Sequence, residues 1–462
     1  MWFKPWHQVR PAYQALANGK SDEAFAWLER AFGRRQKAKF QLQLAAVYAL
    51  FDERGRLRGE AALSRAAIFN RSSLSEPLYQ VLEAEFAVIA GQSDQELKQT
   101  LRGLLQSEEG LVKFHASRAL FKMGSYRLAS RALLELESTV LPGPLQGRRL
   151  QMLAQSYVAR GKEKEAAETF ELALNYLKKQ ERMMAEFSLA ESYLRLSRPD
   201  KAILILTKSD TPEKDNLQFV RKRYLEGVSH RHVGNFEEAF RKMQEAYNAI
   251  ADQNSIPFEI LLEMSRLCVD VGHIDNAITT YQQAFSVVSP EQYSMLMHEY
   301  GSLLKTLEDY PKAKDALTAV VKDVRYPKRI AACAELAMVE YKLGQLDAAE
   351  ALAKYALDNG ETTQACLCLG NIALEYFRFS EAETYFEKAL AESSEGDSRW
   401  LTAQLMLAQT FAQEQAREPE RLIFHAEQAL KYLHPSDEWV ATLRGYISSA
   451  RESLDNEVRN LN

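Results

Sequence analysis

Residues 150–173 read LQMLAQSYVARGKEKEAAETFELA, and this stretch decides the fold. It predicts two short amphipathic helices that meet in a turn at Gly161. Apolar and small residues recur every three to four positions in each half, which is the spacing of a helix that buries one face. The first helix presents Leu150, Leu153, Ala154 and Tyr157 on that face, and the second presents Ala166, Phe170 and Ala173. Because large residues of one helix fill the space left by small residues of the other, the stretch forms a closely packed helical hairpin.

The order of these residues resembles the tetratricopeptide repeat, in which a helix with leucine, glycine and tyrosine precedes a helix with alanine and phenylalanine. The same order recurs over residues 5–432. The resemblance implies a right-handed superhelix of stacked helix pairs. It also implies that the first helices of successive pairs line a concave groove, which in this family takes an extended peptide or a partner's helix.

Alanines near the start of each second helix mark the repeats. They are Ala24, Ala61, Ala129, Ala166, Ala202, Ala239, Ala277, Ala313, Ala349 and Ala382. From Ala129 onward they lie 33 to 38 residues apart, close to the family period of about 34 residues. The 68 residues between Ala61 and Ala129 hold one further repeat that lacks the alanine. We therefore predict an all-α solenoid of about 12 tetratricopeptide-like helix pairs, with a C-terminal cap helix.

The predicted solenoid has four parts. Residues 1–140 form basic N-terminal repeats, and residues 141–147 form a hinge because Pro142, Gly143 and Pro144 interrupt a helix. Residues 148–435 form an acidic array, and residues 436–462 form the cap helix, whose outer face is polar. The formal charge is +9 over residues 1–162 and −14 over the remainder, although the whole chain carries −5. Solvated helix faces of opposite sign explain this split, and an acidic partner for the first part is the alternative.

The composition of the 462-residue chain, 46% hydrophobic and 26% charged, is typical of a folded globular protein. The N-terminus lacks the apolar run of a secretory signal, and no stretch approaches the roughly 18 apolar residues of a membrane span. The four cysteines, Cys268, Cys333, Cys366 and Cys368, lie among apolar residues of predicted helices. A reduced thiol behaves there as a small hydrophobic group. These features predict a cytoplasmic protein without a membrane span.

The sequence predicts no catalytic residues, no metal site and no cofactor, so we expect a protein that is not an enzyme. Gly19-Lys20-Ser21 resembles the end of a phosphate-binding loop. However, Gln14 stands where that loop requires its first glycine, and a strand does not precede it. His230 and His232 diverge on a helix and lack the spacing of a metal pair. Because His230 takes the place of the repeat's tyrosine, we interpret it as a packed core histidine.

The groove is predicted from the family resemblance, which places residues that follow the repeat's leucine on its surface. They are Gln155, Val158, Glu191, Leu194, Val228, Arg231, Arg266, Val269, Ser302, Lys305, Met338, Tyr341, Asn371 and Leu374. Among them we predict that Arg231, Arg266, Lys305, Tyr341 and Asn371 bind the partner. The three bases come from consecutive repeats and suit an acidic or carboxylate-bearing segment. The alternative is that they pair with neighbouring acids of the chain.

The predicted function is therefore a scaffold that binds a protein or peptide partner in its concave groove, as a monomer or weak homo-oligomer. Two alternatives stay open. One is a regulatory, peptide-sensing protein, because long arrays of such repeats resemble the peptide-binding part of bacterial regulators. The other is nucleic-acid binding through the basic segments Gly33–Lys39 and Glu53–Glu60, which supply a stripe of positive charge. The acidity of the whole chain argues against nucleic acid.

Overall fold

The computed structural model describes residues 7–33, 37–136, 141, 143–212, 217–251, 256–413 and 418–461. Within these residues the secondary structure is helical throughout, without a strand. The helices up to residue 248 are α1 (Arg10–Ala17), α2 (Ser21–Phe32), α3 (Ala38–Ala49), α4 (Glu53–Phe69), α5 (Pro77–Ile89), α6 (Gln95–Leu104), α7 (Gly110–Lys122), α8 (Tyr126–Glu135), α9 (Gly143–Val158), α10 (Glu163–Leu174), α11 (Lys179–Arg195), α12 (Pro199–Lys208), α13 (Leu217–His232) and α14 (Phe236–Asn248). The later helices are α15 (Phe258–Asp270), α16 (Ile274–Phe285), α17 (Pro290–Thr306), α18 (Tyr310–Lys322), α19 (Arg329–Lys342), α20 (Leu346–Asp358), α21 (Thr362–Glu375), α22 (Phe379–Ala391), α23 (Ser398–Gln413), α24 (Pro419–Leu430) and α25 (Glu438–Leu461).

The chain forms two compact units, Met1–Ile256 and Pro257–Asn462. The first unit contains α1–α14, and the second contains α15–α25. Within each unit, consecutive helices pack against one another in sequence order, as hairpins stacked on hairpins do. In the described part of the chain there are 12 such pairs, followed by α25. This arrangement confirms the predicted all-α solenoid with a C-terminal helix.

The segment 141–147, predicted as a hinge, is helical from Gly143 onward. Helix α9 begins at Gly143 and has Pro144 in its first turn, where proline is tolerated because the amide it lacks would be unpaired there. Gly143 and Pro144 thus lie at the beginning of a helix, after α8 has ended at Glu135. Pro142 lies outside the described residues, and the division of the chain at 140, 147 and 435 stays a prediction.

In ten of the described pairs, the turn between the two helices has one backbone geometry. At Gly161 the N–H binds the carbonyl of Val158 at 2.9 Å, and the next N–H, from Lys162, binds the carbonyl of Tyr157 at 2.9 Å. This is a Schellman motif, which needs one residue with positive φ and so favours glycine. We call that residue the left-handed turn position. In the described residues it is occupied by Gly19, Gly91, Gly124, Gly161, Ser197, Gly234, Gly272, Glu308, Gly344 and Phe377.

The alanines that mark the second helices lie in the core, as predicted. Fully buried are Ala24, Ala129, Ala166, Ala202, Ala239, Ala277, Ala313, Ala349 and Ala382. In the second repeat the predicted register is wrong, because Ala61 is only half-buried and the neighbouring Ala62 is fully buried. The close approach of this repeat to the next one uses the buried Gly59 of α4, which lies against the ring of Phe86 on α5. Counting alanines overlooks a glycine in this role.

Helix α3 is enclosed by the first unit. Every residue from 40 to 50 is buried, including Gln41 and Gln43. Its sequence, AKFQLQLAAVYA, is apolar around most of the helix and so favours burial on all sides rather than one stripe. The inner face of this repeat is therefore covered by the chain itself and is closed to a partner.

We expect Ala277→Leu to lower the free energy of unfolding of the second unit by about 1–3 kcal/mol, because Ala277 is fully buried between closely packed helices. The matched control is Thr279→Leu, an exposed position on the same helix, which we expect to change stability little. Urea unfolding followed by circular dichroism measures both. Equal stabilities for the Ala277→Leu variant and the unchanged protein would show that the repeat register is misassigned.

Candidate functional site

The first helices of the pairs in the second unit are α15, α17, α19, α21 and α23. Along most of this series each contacts the next first helix two elements away, as α19 does with α21 and α21 with α23. The second helices contact the flanking first helices instead. An array curves toward the elements that approach one another most closely, so the first helices line its inner side. We call this inner side the groove.

Arg266 on α15 is held by two glutamates. Its Nε lies 2.9 Å from Oε2 of Glu299, and its Nη2 lies 2.5 Å from Oε1 of the same carboxylate. Nη1 donates to Glu263 at 3.0 Å. Burial lowers the pKa of Arg266, but the bonds to Glu299 and Glu263 outweigh burial and raise it above its ordinary value. The guanidinium therefore joins α15 to the next first helix, α17, through a two-point ion pair.

Lys305 on α17 makes the equivalent link to α19. Its Nζ lies 2.8 Å from Oε2 of Glu335, and the hydroxyl of Ser302 donates to the same oxygen at 2.7 Å. Nε2 of His298 lies 3.4 Å from Oε1 of Glu335. Burial raises the pKa of Glu335, but the bonds from His298, Lys305 and Ser302 outweigh it and lower that pKa to about 2. Glu335 is thus ionised and fully engaged.

Tyr341 on α19 continues the series toward α21. Its hydroxyl donates to Oε1 of Glu375 at 2.9 Å. Burial and this bond both raise the pKa of Tyr341, so the phenol stays protonated and acts as the donor. Arg266, Lys305 and Tyr341 thus each bind a glutamate that lies 30 to 34 residues further along the chain. We call these three links the groove ladder.

The ladder predicts a pH dependence of stability. Because the pKa of folded Glu335 is about 2 and its ordinary value is 4.5, its contribution is complete above pH 4.5 and is lost as the pH falls toward 2. We expect the protein to lose about 1–3 kcal/mol more in this window than Glu335→Gln does. Urea unfolding at a series of pH values tests this. The control is Glu291→Gln, at an exposed site of α17. Identical acid profiles for the unchanged protein and Glu335→Gln would contradict the assignment.

Next to the ladder, the groove contains a cavity of about 520 Å³ between α19, α21 and α23. We call it the groove cavity. Its lining is Met338, Tyr341, Lys342, Asn371, Leu374, Glu375, Phe377, Thr402, Met406, Gln409 and Gln413. Apolar side chains form much of the wall, and amide side chains supply both hydrogen-bond donors and acceptors. The charged lining residues are one lysine and one glutamate, whose charges are opposite. Polar groups set among apolar side chains in a concave surface are typical of a binding site.

The structure brings some of the predicted site residues together. Tyr341 and Asn371 both line the groove cavity, as do the predicted groove residues Met338 and Leu374. Arg266 and Lys305 lie in the same unit but are engaged in the ladder. Arg231 is half-buried near the end of α13 and belongs to the first unit.

The sequence reasoning missed Phe377, Met406 and Gln409. The rule that places residues after the repeat's leucine in the groove could have identified Gln409, because it follows Leu407 by two residues as Asn371 follows Leu369. Met406 lies one residue before that leucine, and the rule covers only residues that follow it. Phe377 has no signal in the apolar pattern, since it lies in a turn where seven other repeats of this chain have glycine. It becomes visible only from the backbone geometry.

The basic segments of the first unit are mostly compensated where they are described. Arg54 pairs with Asp22 at 2.7 Å, Arg56 pairs with Glu53 at 2.8 Å, and Arg58 pairs with Glu29 at 3.2 Å. Arg34 and Arg35 of the other segment lie outside the described residues. Since phosphate contacts need uncompensated bases, the described arginines do not favour the nucleic-acid alternative.

A second cavity of about 520 Å³ lies within the first unit, between the α1–α2 turn and α11. Three of its charged residues form ion pairs: Lys20 pairs with Glu23 at 2.8 Å, and Glu181 pairs with Arg148 at 2.5 Å. It contains the Gly19-Lys20-Ser21 turn, which is a helix–helix turn as predicted rather than a phosphate loop. Met184 is the one large apolar side chain among its lining residues. The groove cavity is therefore the better candidate for a binding site.

Two other kinds of site are absent from the described ranges. No group of three or more histidine, cysteine or carboxylate side chains is placed to hold a metal ion in this part of the chain. Likewise, none of the described helices is both long and apolar enough to span a membrane. His230, predicted as a core histidine, is partly buried, and burial lowers its pKa.

Comparisons with known proteins agree with the repeat architecture. A family model of the tetratricopeptide repeat matches residues 301–363. No curated protein sequence matches the chain. Among solved structures, the apo form of RapI is 11% identical, with 74% of this chain and 98% of that chain covered and a TM-score of 0.52. PilF of Pseudomonas aeruginosa is 16% identical, with coverages of 51% and 97% and a TM-score of 0.39. The Cut9–Hcn1 hetero-tetramer of the APC/C is 13% identical, with coverages of 97% and 96% and a TM-score of 0.42.

At such identities the likeness to RapI concerns the fold alone. The family match spans α17 to α21 and so includes the repeat that carries Tyr341. The same Schellman turns and buried alanines extend through both units, beyond the matched residues. The chain thus contains tetratricopeptide repeats, matched over residues 301–363, within an array of helix pairs of the same architecture.

Proposed function

We propose that this chain is a non-enzymatic scaffold that binds a peptide segment of a partner protein in the groove of its second unit. The observation that carries the proposal is the groove cavity, where first helices of three consecutive repeats contribute Tyr341, Asn371 and Gln409. Asn371 and Gln409 are half-buried on adjacent first helices and can bind both the N–H and the C=O groups of an extended backbone. A cytoplasmic location and a monomeric or weakly associating state belong to the same proposal.

Because of the groove ladder, this proposal does not use Arg266 and Lys305 as the main contacts to the partner. Arg266 and Lys305 already bind Glu299 and Glu335, so a carboxylate partner would have to displace a glutamate from each of them. Breaking a partly buried pair leaves a charge without compensation, which costs more than the pair contributes. We propose that these two bases mainly hold neighbouring first helices in place. Arg231 belongs to the first unit, and its predicted contact with a partner stays a prediction.

The experiment is a selection of random linear peptides on the full chain. Enriched peptides are synthesised, and their affinities are measured by isothermal titration calorimetry. Asn371→Arg places a long charged side chain in the groove cavity, and we expect it to weaken binding by about tenfold or more. The matched control is Lys354→Ala, an exposed residue of α20 that is paired with Glu350 outside the groove.

The proposal is supported if peptides bind the unchanged protein and Lys354→Ala with equal affinity and Asn371→Arg weakly. Peptides that bind all three proteins equally would place the binding surface elsewhere. Failure to enrich any peptide would contradict linear-peptide recognition by this groove.

A further inference from the structure

Phe377 is an outlier among the left-handed turn positions. Its φ is +56°, a strained conformation that bulky side chains rarely adopt. Seven of the ten described left-handed turn positions hold glycine, and the other two exceptions, Ser197 and Glu308, are polar. An aromatic residue at this position is therefore unexpected on conformational grounds.

The exposure of the Phe377 ring to water is unfavourable in addition to the backbone strain. The side chain of Phe377 is 77% exposed, more than most large apolar residues of the second unit. Its described ring contact is with Phe379, with centroids 6.3 Å apart in an edge-to-face arrangement. One weak contact does not offset both strain and hydration of an aromatic ring. Strained backbone is typically retained where it serves a function.

The position of the ring suggests that function, because Phe377 lies at the rim of the groove cavity. The same cavity exposes the thioether side chains of Met338 and Met406 and part of Leu374. Methionine is flexible and polarisable and adapts to varied apolar side chains. The charged lining residues are one cation and one anion, Lys342 and Glu375, and Glu375 already accepts the bond from Tyr341. The cavity therefore selects neither an acidic nor a basic side chain.

We propose that Phe377 is an aromatic anchor that packs on an apolar side chain of an uncharged peptide segment bound in the groove cavity. The inference rests on the proposed function and adds the chemistry of the partner. The bound segment would bury the exposed ring of Phe377 against a leucine, methionine or phenylalanine side chain, which enters between Met338 and Met406. Glycine at position 377 would relieve the backbone strain but would remove this contact.

The test uses the full chain with methionine methyl groups labelled with ¹³C. The signals of Met338 and Met406 are assigned through Met338→Leu and Met406→Leu. The probes are short peptides with blocked ends, built from serine, glycine and asparagine, each with one central leucine, alanine, lysine or glutamate. We expect the leucine peptide to shift both methyl signals at lower concentration than the other three.

Two substitutions distinguish the contribution of the Phe377 ring to peptide binding from the effect of backbone strain on stability. Phe377→Gly removes both the ring and the strain, and we expect a higher midpoint of thermal unfolding together with at least about tenfold weaker binding of the leucine peptide. Glu308→Gly relieves the same backbone geometry, with φ +61°, at a turn whose side chain does not line the groove cavity. We expect it to raise the midpoint in the same way and to leave binding unchanged.

The outcomes distinguish this inference from the proposed function. If the leucine peptide binds Phe377→Gly as well as the unchanged protein, the anchor is refuted while peptide binding in the groove stands. If the glutamate or lysine peptide shifts the two methyl signals at the lowest concentration, the partner is charged and the inference is wrong. If none of the peptides shifts either signal up to the solubility limit, both the inference and the peptide-binding groove are overturned.

Discussion

Arg118→Met is expected to lower the free energy of unfolding of the first unit by about 3–5 kcal/mol, the cost of leaving one member of a buried ion pair without its partner. Arg118 on α7 binds Oε1 of Glu85 with Nη1 and Oδ1 of Asp52 with Nη2. Glu85 on α5 is completely buried. Methionine keeps much of the length and volume of the arginine side chain, so the loss reflects charge and hydrogen bonds rather than a cavity.

His115 is the second partner of Glu85. Nδ1 of His115, itself fully buried, lies 2.6 Å from Oε2 of Glu85. Burial raises the pKa of Glu85, but Arg118 and His115 outweigh burial and hold that pKa below its ordinary value. The contribution of the carboxylate is therefore complete near neutral pH and is lost as the pH falls below its ordinary titration range. Acid should reduce the stability difference between Arg118→Met and the unchanged protein.

The control for Arg118→Met is Arg56→Ala. It breaks an ion pair of the same unit in which the partner, Glu53, is 66% exposed. Exposed pairs contribute about 0–1 kcal/mol. A third variant, Glu85→Leu with His115→Leu and Arg118→Met, removes all the buried charges at once and should be more stable than Arg118→Met alone. Urea unfolding followed by circular dichroism measures all three. If Arg118→Met is no more damaging than Arg56→Ala, the cluster does not stabilise the fold.

This cluster also shows what the sequence did not reveal. Glu85 lies in an otherwise apolar helix, and its partners come 30 and 33 residues later. The apolar spacing that predicted the helix pairs is a local property, so it locates helices and turns well. The partners of a buried carboxylate can be identified only when the helices that surround it are known. The same limit applies to the ladder, where a glutamate of one first helix binds a residue of another.

The groove was predictable to the extent that it depends on repeat register. The rule that counts from the repeat's leucine placed Tyr341 and Asn371 on the same surface, and both line the groove cavity. The rule does not indicate which groove positions are engaged within the chain, and so it could not separate Arg266 and Lys305 from Tyr341 and Asn371. The rule also does not indicate where the chain itself covers the inner face, as it does at α3, whose apolar sequence encloses that helix in the first unit.

Phe386→Ala is the second substitution for which we expect a loss of about 3–5 kcal/mol, because its ring on α22 is fully buried and its removal leaves a cavity. The ring lies directly against Gly370 of α21. A Cβ atom at Gly370 would come within 2.7 Å of Cζ of Phe386, closer than atoms normally approach. Asn371, the next residue of α21, lines the groove cavity. The pair therefore fixes the position of a helix that carries part of the candidate site.

A double-mutant cycle isolates this contact. Gly370→Ala alone should destabilise the second unit by about 1–3 kcal/mol through overpacking, even though alanine favours helix formation over glycine. In the Phe386→Ala background the added methyl enters the space left by the ring, so Gly370→Ala should be neutral or stabilising, with a coupling of about 0.5–3 kcal/mol. The control is Gly445→Ala in α25, where a Cβ meets nothing within 4 Å. There we expect a gain of roughly 0.5–1 kcal/mol from helix propensity alone. Losses that simply add in the double variant would mean that the ring of Phe386 does not determine how closely α21 and α22 approach.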